Sequence, residues 1–497
     1  MTDLNTPGVQ RRSVAIQDPP TRFAEMLGHL GPGLIISASI VGSGELIVTT
    51  KLGADIGFVL LWFIIVGCMI KVFVQVELGR YTLSHTQTTI QAMDSVPGPR
   101  FSLAFRGLRE TDRDLHIVNF GWLVWCWLLM YVATFFQLAG IVGAIADVFG
   151  AGGIPLHKNV LAALITGSCA LLLGIGRYRF IESFSTAMVA LFTLVTVVAV
   201  IALQWTPYAI TPEQLFDGLR FRLPPAAESS RRFEPLMVAF AAFGVIGVGA
   251  SELIYYPYWC LEKGYAKAVG PNDGSDAWQA RAKGWLRVMK LDAWVSMIIY
   301  TTATIAFYLL GAAVLHGKGL EVSDTNLIEN LSAMYRESFG TYGKLLFLVG
   351  AFVVLYSTVF VATASNGRLI ADLISFTPWL RGESEAHHAR VVQLACILLP
   401  VVYFLLFWTI GSPIGLVFVG AVAQAIMLPF LCLAVLFFRH WRTAPVLRPG
   451  LLWTVLLWIA SLLMAATGVM QGYDKLRSKP IPSLPPVMQT SSETAES

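Results

Sequence analysis

The sequence predicts an all-α polytopic membrane protein of about 11 transmembrane helices, built as two inverted five-helix repeats with discontinuous helices one and six. Three observations predict it. Hydrophobic residues make up 56% of the chain and charged residues 13%, a balance foreign to soluble domains. About eleven apolar stretches approach the roughly 20 residues a bilayer requires. Two glycine-rich motifs, Gly42-Ser43-Gly44-Glu45-Leu46-Ile47 and Gly249-Ala250-Ser251-Glu252-Leu253-Ile254, interrupt apolar runs at matching places.

Residues 1–23 are polar and lack the apolar core of a cleavable signal peptide; they read as a disordered cytoplasmic tail. Residues 24–472 form the membrane domain. Repeat one covers about 31–203. Its first span starts at Gly31-Pro32-Gly33, and its second carries Lys71, Gln75, Glu77 and Arg80. A Trp-rich third span (118–145) reads as a packing feature. The fourth and fifth spans (160–174 and 180–203) flank the basic turn Arg177-Tyr178-Arg179. A polar loop, 204–234, divides the chain.

Repeat two covers about 235–438. Its sixth span (235–260) holds the second motif, and its seventh runs over 291–315. A surface helix is expected over 325–336. The eighth, ninth and tenth spans follow at 344–370, 391–410 and 414–438. An extra helix (451–469) precedes a disordered tail, 473–497. Arg and Lys concentrate in alternate loops, which puts the amino terminus inside by the positive-inside rule. An integral, multi-pass protein of the plasma (inner) membrane follows. The six cysteines lie in or beside apolar segments and read as small buried hydrophobes.

The two motifs carry the functional expectation. Glycine inside a helix costs about 1 kcal/mol, and an acidic side chain at bilayer depth about 2.5–3.5 kcal/mol. Gly42 and Gly249 stand 207 positions apart, so each motif opens the first span of a repeat. Helices broken at Gly42, Gly44, Gly247 and Gly249 would expose carbonyls that attract cations. Glu45 and Glu252 strengthen that preference, and Ser43 and Ser251 add hydroxyl oxygens. Thr49, Thr50, Tyr255 and Tyr256 could line the approach. Oxygen donors without Met, Cys or His suit magnesium, calcium or manganese over copper or zinc.

Each residue has a plainer reading. Glu45 and Glu252 could bond opened backbone or pair with Lys71. Lys71 could pair with either glutamate, serve in coupling, or snorkel. Glu77 and Arg80 read as an interfacial pair. Gln137 reads as an interhelical hydrogen bond, and Asn366 with Arg368 as an interfacial anchor. No nucleotide-binding loop, zinc-protease motif or Ser/His/Asp array argues for an enzyme. No basic run interleaved with aromatics argues for nucleic-acid binding, and no cofactor is indicated.

The chain resembles the Nramp divalent-metal transporters, which share the LeuT-type five-plus-five fold. The resemblance spans Gly31 to about Phe438. It rests on Gly31-Pro32-Gly33, Leu60-Leu61-Trp62, Tyr178-Arg179 with Glu182, Gly244-Val245-Ile246-Gly247, and Gln424 followed by Leu428-Pro429-Phe430. Its signature motifs depart from the family. Asp-Pro-Gly-Asn is replaced by Gly42, Ser43, Gly44 and Glu45, and Met-Pro-His by Ser251, Glu252 and Leu253. The resemblance implies site roles for Gln424 and for the Val248 carbonyl, with Glu45 at the asparagine ligand's place. Loss of the methionine resembles an outlying, magnesium-transporting branch, and loss of the histidine removes the family's proton-coupling residue.

The expected function is a secondary transporter of a divalent metal ion such as Mg or Mn, working by alternating access. Protons or sodium are the possible coupling ions. The alternatives are a cation-coupled symporter of an amino acid or amine, and a non-transporting receptor or scaffold of the same fold.

Overall fold

The computed structural model describes residues 16–106, 115–175, 178–224, 234–376 and 385–477. Among them, seven helical stretches are long and apolar enough to cross a bilayer: Leu61–His85, Trp122–Ala151, Asp276–His316, Leu327–Ser375, Ala386–Ile410, Pro413–Arg442 and Leu451–Arg477. The bent pair Pro32–Ile40 and Gly44–Ile56 makes an eighth. Two shorter apolar helices, Lys158–Gly174 and Val189–Trp205, are spans four and five. The two helices Glu234–Phe243 and Ala250–Lys263 lie where the interrupted sixth span is expected. The chain is an integral, multi-pass, all-α membrane protein.

Local chemistry sets the ends of these helices. Pro32 opens span one where a missing N–H costs nothing. Gly264, at φ 92°, ends span six in the left-handed region. Ser412 caps span ten by accepting from the Gly415 N–H at 3.1 Å, with Pro413 next to it. Thr88 and Gln91 form a capping box on the short helix after span two.

The two discontinuities differ in kind. Span one bends by 43° and winds through Val41–Thr49 as a π-helix. Its turn is widened, not unwound; such widening is common at functional sites. Thr49 Oγ1 donates back to the Gly44 carbonyl at 2.9 Å, and Thr50 Oγ1 to the Glu45 carbonyl at 3.4 Å. Span six does unwind over residues 244–249, with Gly247 at φ 62°. Gly44 lets the motifs touch backbone to backbone: a Cβ there would come within 2.6 Å of the Val245 carbonyl.

Four expectations are corrected. Residues 16–23 are held, not free: the Gln17 N–H donates to the Ala268 carbonyl at 3.0 Å, and Trp285 Nε1 to the Gln17 carbonyl at 3.0 Å. An antiparallel hairpin, β1 (Arg100–Arg106) with β2 (Leu115–Gly121), joins spans two and three, where no strand was expected. Span eleven continues as helix to Arg477, taking residues 473–477 out of the tail. The Glu77–Arg80 pair is buried, not interfacial: Arg80 Nε lies 3.0 Å from Glu77 Oε1, with both side chains 2% exposed. It ties span two to the last span, since Trp453 Nε1 donates to Glu77 Oε1 at 2.7 Å. Residues 1–15 and 478–497 of the expected tails lie outside the described residues.

Candidate functional site

Glu45 lies on the widened turn of span one and is fully buried. Its Oε1 accepts from the Gly247 N–H at 2.9 Å. The same oxygen lies 2.7 Å from Thr304 Oγ1 on span seven. That hydroxyl is also 2.6 Å from the Tyr300 carbonyl, and its one proton serves one acceptor at a time. Glu45 Oε2 has no hydrogen-bond partner among the described residues. Nothing in the sequence singled out Thr304; a hydroxyl in an apolar span is too common a signal.

Glu252 stands in the first turn of the second half of span six, where the helix dipole favours a negative charge. It is half-buried, and its Oε1 accepts from Ser39 Oγ at 3.3 Å. A Cβ on Gly249 would come within 2.5 Å of Glu252 Oε2 and 2.6 Å of Gln424 Oε1. Glu252 Oε2 and Gln424 Oε1 thus converge over the open face of Gly249.

Gln424, on span ten, completes this side. Its Oε1 accepts from the Ser251 N–H at 3.0 Å, and its Nε2 donates to Gln137 Oε1 at 2.7 Å on span three. Gln137 is thus the group that orients Gln424. Ser251 Oγ is buried without a partner among the described residues. Val248 is buried within the unwound segment. Gly42 sits against span eight, where a Cβ would overlap Thr358. The Ser43 side chain lies outside the described residues.

Lys71 neither snorkels nor pairs with a glutamate. It is fully buried, and no ion pair within 4.0 Å joins it to Glu45 or Glu252. Its Nζ donates to the Phe243 carbonyl and, at 2.6 Å, to the Ile246 carbonyl. These are the carbonyls that span six frees where it unwinds.

Around this centre, polar groups tie spans together. Tyr255 donates to Asn366 Oδ1 at 2.6 Å, and Tyr131 to the Asn366 carbonyl at 2.9 Å. Asn366 is therefore a fully buried interhelical hub, not an interfacial anchor. Arg368 keeps the anchor role, 2.8 Å from Glu262. Asp292, missed in the sequence because it sits at the edge of its apolar run, accepts from the Gly31 and Gly33 N–H groups at 2.8 and 2.7 Å. Tyr256 donates to the same carboxylate at 3.2 Å. Tyr255 and Tyr256 thus brace the spans and do not line an open approach.

Among the described residues, no three His, Cys, Asp or Glu side chains gather in metal-binding geometry. An ion held here must draw on amide, hydroxyl and carbonyl oxygens beside the carboxylates.

Solved structures resemble this arrangement. A substituted form of a manganese transporter from Eremococcus coleocola superposes with a TM-score of 0.65 at 15% identity, over 95% of this chain and 93% of that one. A nucleobase-cation-symport-1 family transporter, Mhp1, with a hydantoin bound gives 0.52 at 14%, over 92% and 96%. MhsT in complex with L-phenylalanine gives 0.50 at 13%, over 92% and 99%. At these identities the likeness establishes the fold. No curated protein matches the sequence. The family model described as natural resistance-associated macrophage protein-like matches residues 33–474. That match runs through both interrupted spans and covers the membrane domain from residue 33 onward, and the chain belongs to the Nramp family.

Proposed function

We propose that this chain is a secondary transporter that moves a divalent metal cation by alternating access, through an oxygen-ligand site at mid-membrane. The observation that carries the reading is the unpartnered Glu45 Oε2, fully buried beside the unwound segment of span six. Burying a carboxylate is costly unless it is compensated. The Gly247 N–H holds one of its oxygens, with the Thr304 hydroxyl beside it, and a cation would satisfy the other. Glu252, Gln424, Ser251 and the Val248 carbonyl supply further oxygens around the same break. Gly42 and Ser43 contribute backbone at the widened turn. The donor set is hard and matches Mg or Mn, or an ion of similar hardness. Family membership agrees, since Nramp proteins carry divalent metals.

The charge pattern of the loops supports a cytoplasmic amino terminus in a plasma (inner) membrane. Protons or sodium are the candidate coupling ions. Uptake of magnesium, manganese, calcium and cadmium into proteoliposomes tests the reading. Metal uptake should occur in the wild type and vanish in Glu45→Gln. Flux of an amine alone would favour the organic-solute reading, and absence of any flux a scaffold. Metal uptake unchanged in both Glu45→Gln and Glu252→Gln would remove the site assignment.

A further inference from the structure

Lys71 has a setting that ordinary burial does not require. Its ammonium meets two carbonyls of one broken helix end, Phe243 and Ile246, and lies 4.5 Å from the centre of the Phe243 ring. Carbonyl oxygens at a half-helix C-terminus form the usual seat for a small cation, and an aromatic face adds to it. Gly67, one turn earlier on span two, makes room: a Cβ there would come within 2.9 Å of the Phe243 ring. Span two therefore carries both the cation and the gap that lets its aromatic wall approach.

We propose that the Phe243 and Ile246 carbonyls, with the Phe243 ring, form a monovalent-cation subsite that the protein fills with its own Lys71 ammonium. Lys71 stands in for a free co-ion. The subsite is separate from the oxygens around Glu45 Oε2 and Ser251 Oγ, which remain for the cargo. Two consequences follow. The wild-type protein has no sodium requirement, because its monovalent seat is permanently occupied. Removing the ammonium uncovers a seat for a small cation from solution.

The test uses purified full-length protein, in detergent for thermal unfolding and in proteoliposomes for uptake, at constant ionic strength. The probes are sodium, methylammonium and choline, the last too large for the seat. Wild type should show the same unfolding midpoint and the same metal uptake in sodium and in choline. Lys71→Ala should unfold at lower temperature in choline and lose roughly tenfold or more in uptake, given two lost charge-assisted bonds. Sodium or methylammonium should restore both saturably, as a ligand of the folded state does. Lys71→Met fills the space without charge and should stay unrestored.

Sodium stimulation or stabilisation of the wild type would overturn the proposal. So would a folded Lys71→Ala that no small cation restores. Should Lys71→Ala not fold, the wild-type comparison decides alone: insensitivity to sodium supports the subsite, and sensitivity removes it. The uptake arm rests on the transport reading above, whereas the unfolding arm does not. A midpoint restored by sodium in a protein that moves no divalent ion would sink the cargo assignment and leave the subsite standing.

Discussion

Lys71 and Glu45 grip opposite ends of one peptide group. The Ile246 carbonyl accepts from the Lys71 ammonium at 2.6 Å, and the N–H of the same peptide unit, on Gly247, donates to Glu45 Oε1 at 2.9 Å. In a trans peptide these two groups point in opposite directions. The positive and negative side chains are therefore coupled through a polarised amide without touching. The amide belongs to the unwound part of span six, so the break is held from both sides by spans one and two.

Glu45→Gln keeps the shape and removes the charge. Ion affinity should fall by at least the ~10–100-fold seen when a group behind a metal ligand is lost. Folding should change little, or improve, because a buried charge disappears. Isothermal titration with manganese, paired with thermal unfolding, separates the two effects. A large loss of stability with affinity intact would assign Glu45 a structural role.

Gly247→Ala places a side chain at φ 62°, which costs about 1–2 kcal/mol in backbone strain. Its Cβ would also press on Cys68 Sγ at 3.1 Å and Tyr300 Cε2 at 3.2 Å. The expected outcome is a lower unfolding temperature together with weakened ion binding, since the Gly247 N–H orients Glu45. Retained binding at normal affinity would show that the break tolerates another geometry.

Gln137 acts on the site through Gln424. Gln137→Leu alone should weaken ion affinity, because Gln424 Nε2 loses its acceptor and the amide is free to turn. In a double-mutant cycle with Gln424→Leu the two effects should be non-additive by roughly 0.5–3 kcal/mol. Strict additivity would mean that the 2.7 Å contact does not orient the ligand.

Asp292→Ala removes the acceptor for the first two backbone donors of span one. Loss of such a cap costs roughly 0.5–2 kcal/mol, whereas the Tyr256 hydroxyl keeps the Met289 carbonyl, at 3.1 Å, as its acceptor. Unfolding temperature should drop, and Asp292→Asn should recover part of it by accepting one of the two bonds. A thermal scan of the three proteins checks the order, wild type above Asn above Ala.

The candidate site was legible in part. Glu45 and Glu252 stood out because a carboxylate within an apolar run has no cheap explanation in a bilayer. Gln424 came through the resemblance, and Gln137 by its polarity alone, but nothing in the chain linked them; they are 287 positions apart and meet only when spans three and ten pack. Lys71 stands out in the sequence as a cation within an apolar span. Opposite charge suggested a glutamate, whereas two freed carbonyls won, because they satisfy more of its donors in a dry interior.

Composition, apolar periodicity and the duplicated motif determined by themselves that this is a multi-pass all-α membrane protein, interrupted near Glu45 and Glu252. Those signals are local: a bilayer dictates span length, and a helix cannot hide a glycine pair or a lone acid. Only the tertiary structure decided how each interruption is made, wide-turned around Glu45 and unwound around Gly247. It also decided which side chains meet there. Hydrogen-bond partners are chosen by the packing of helices far apart in sequence, and no spacing along a chain encodes that choice.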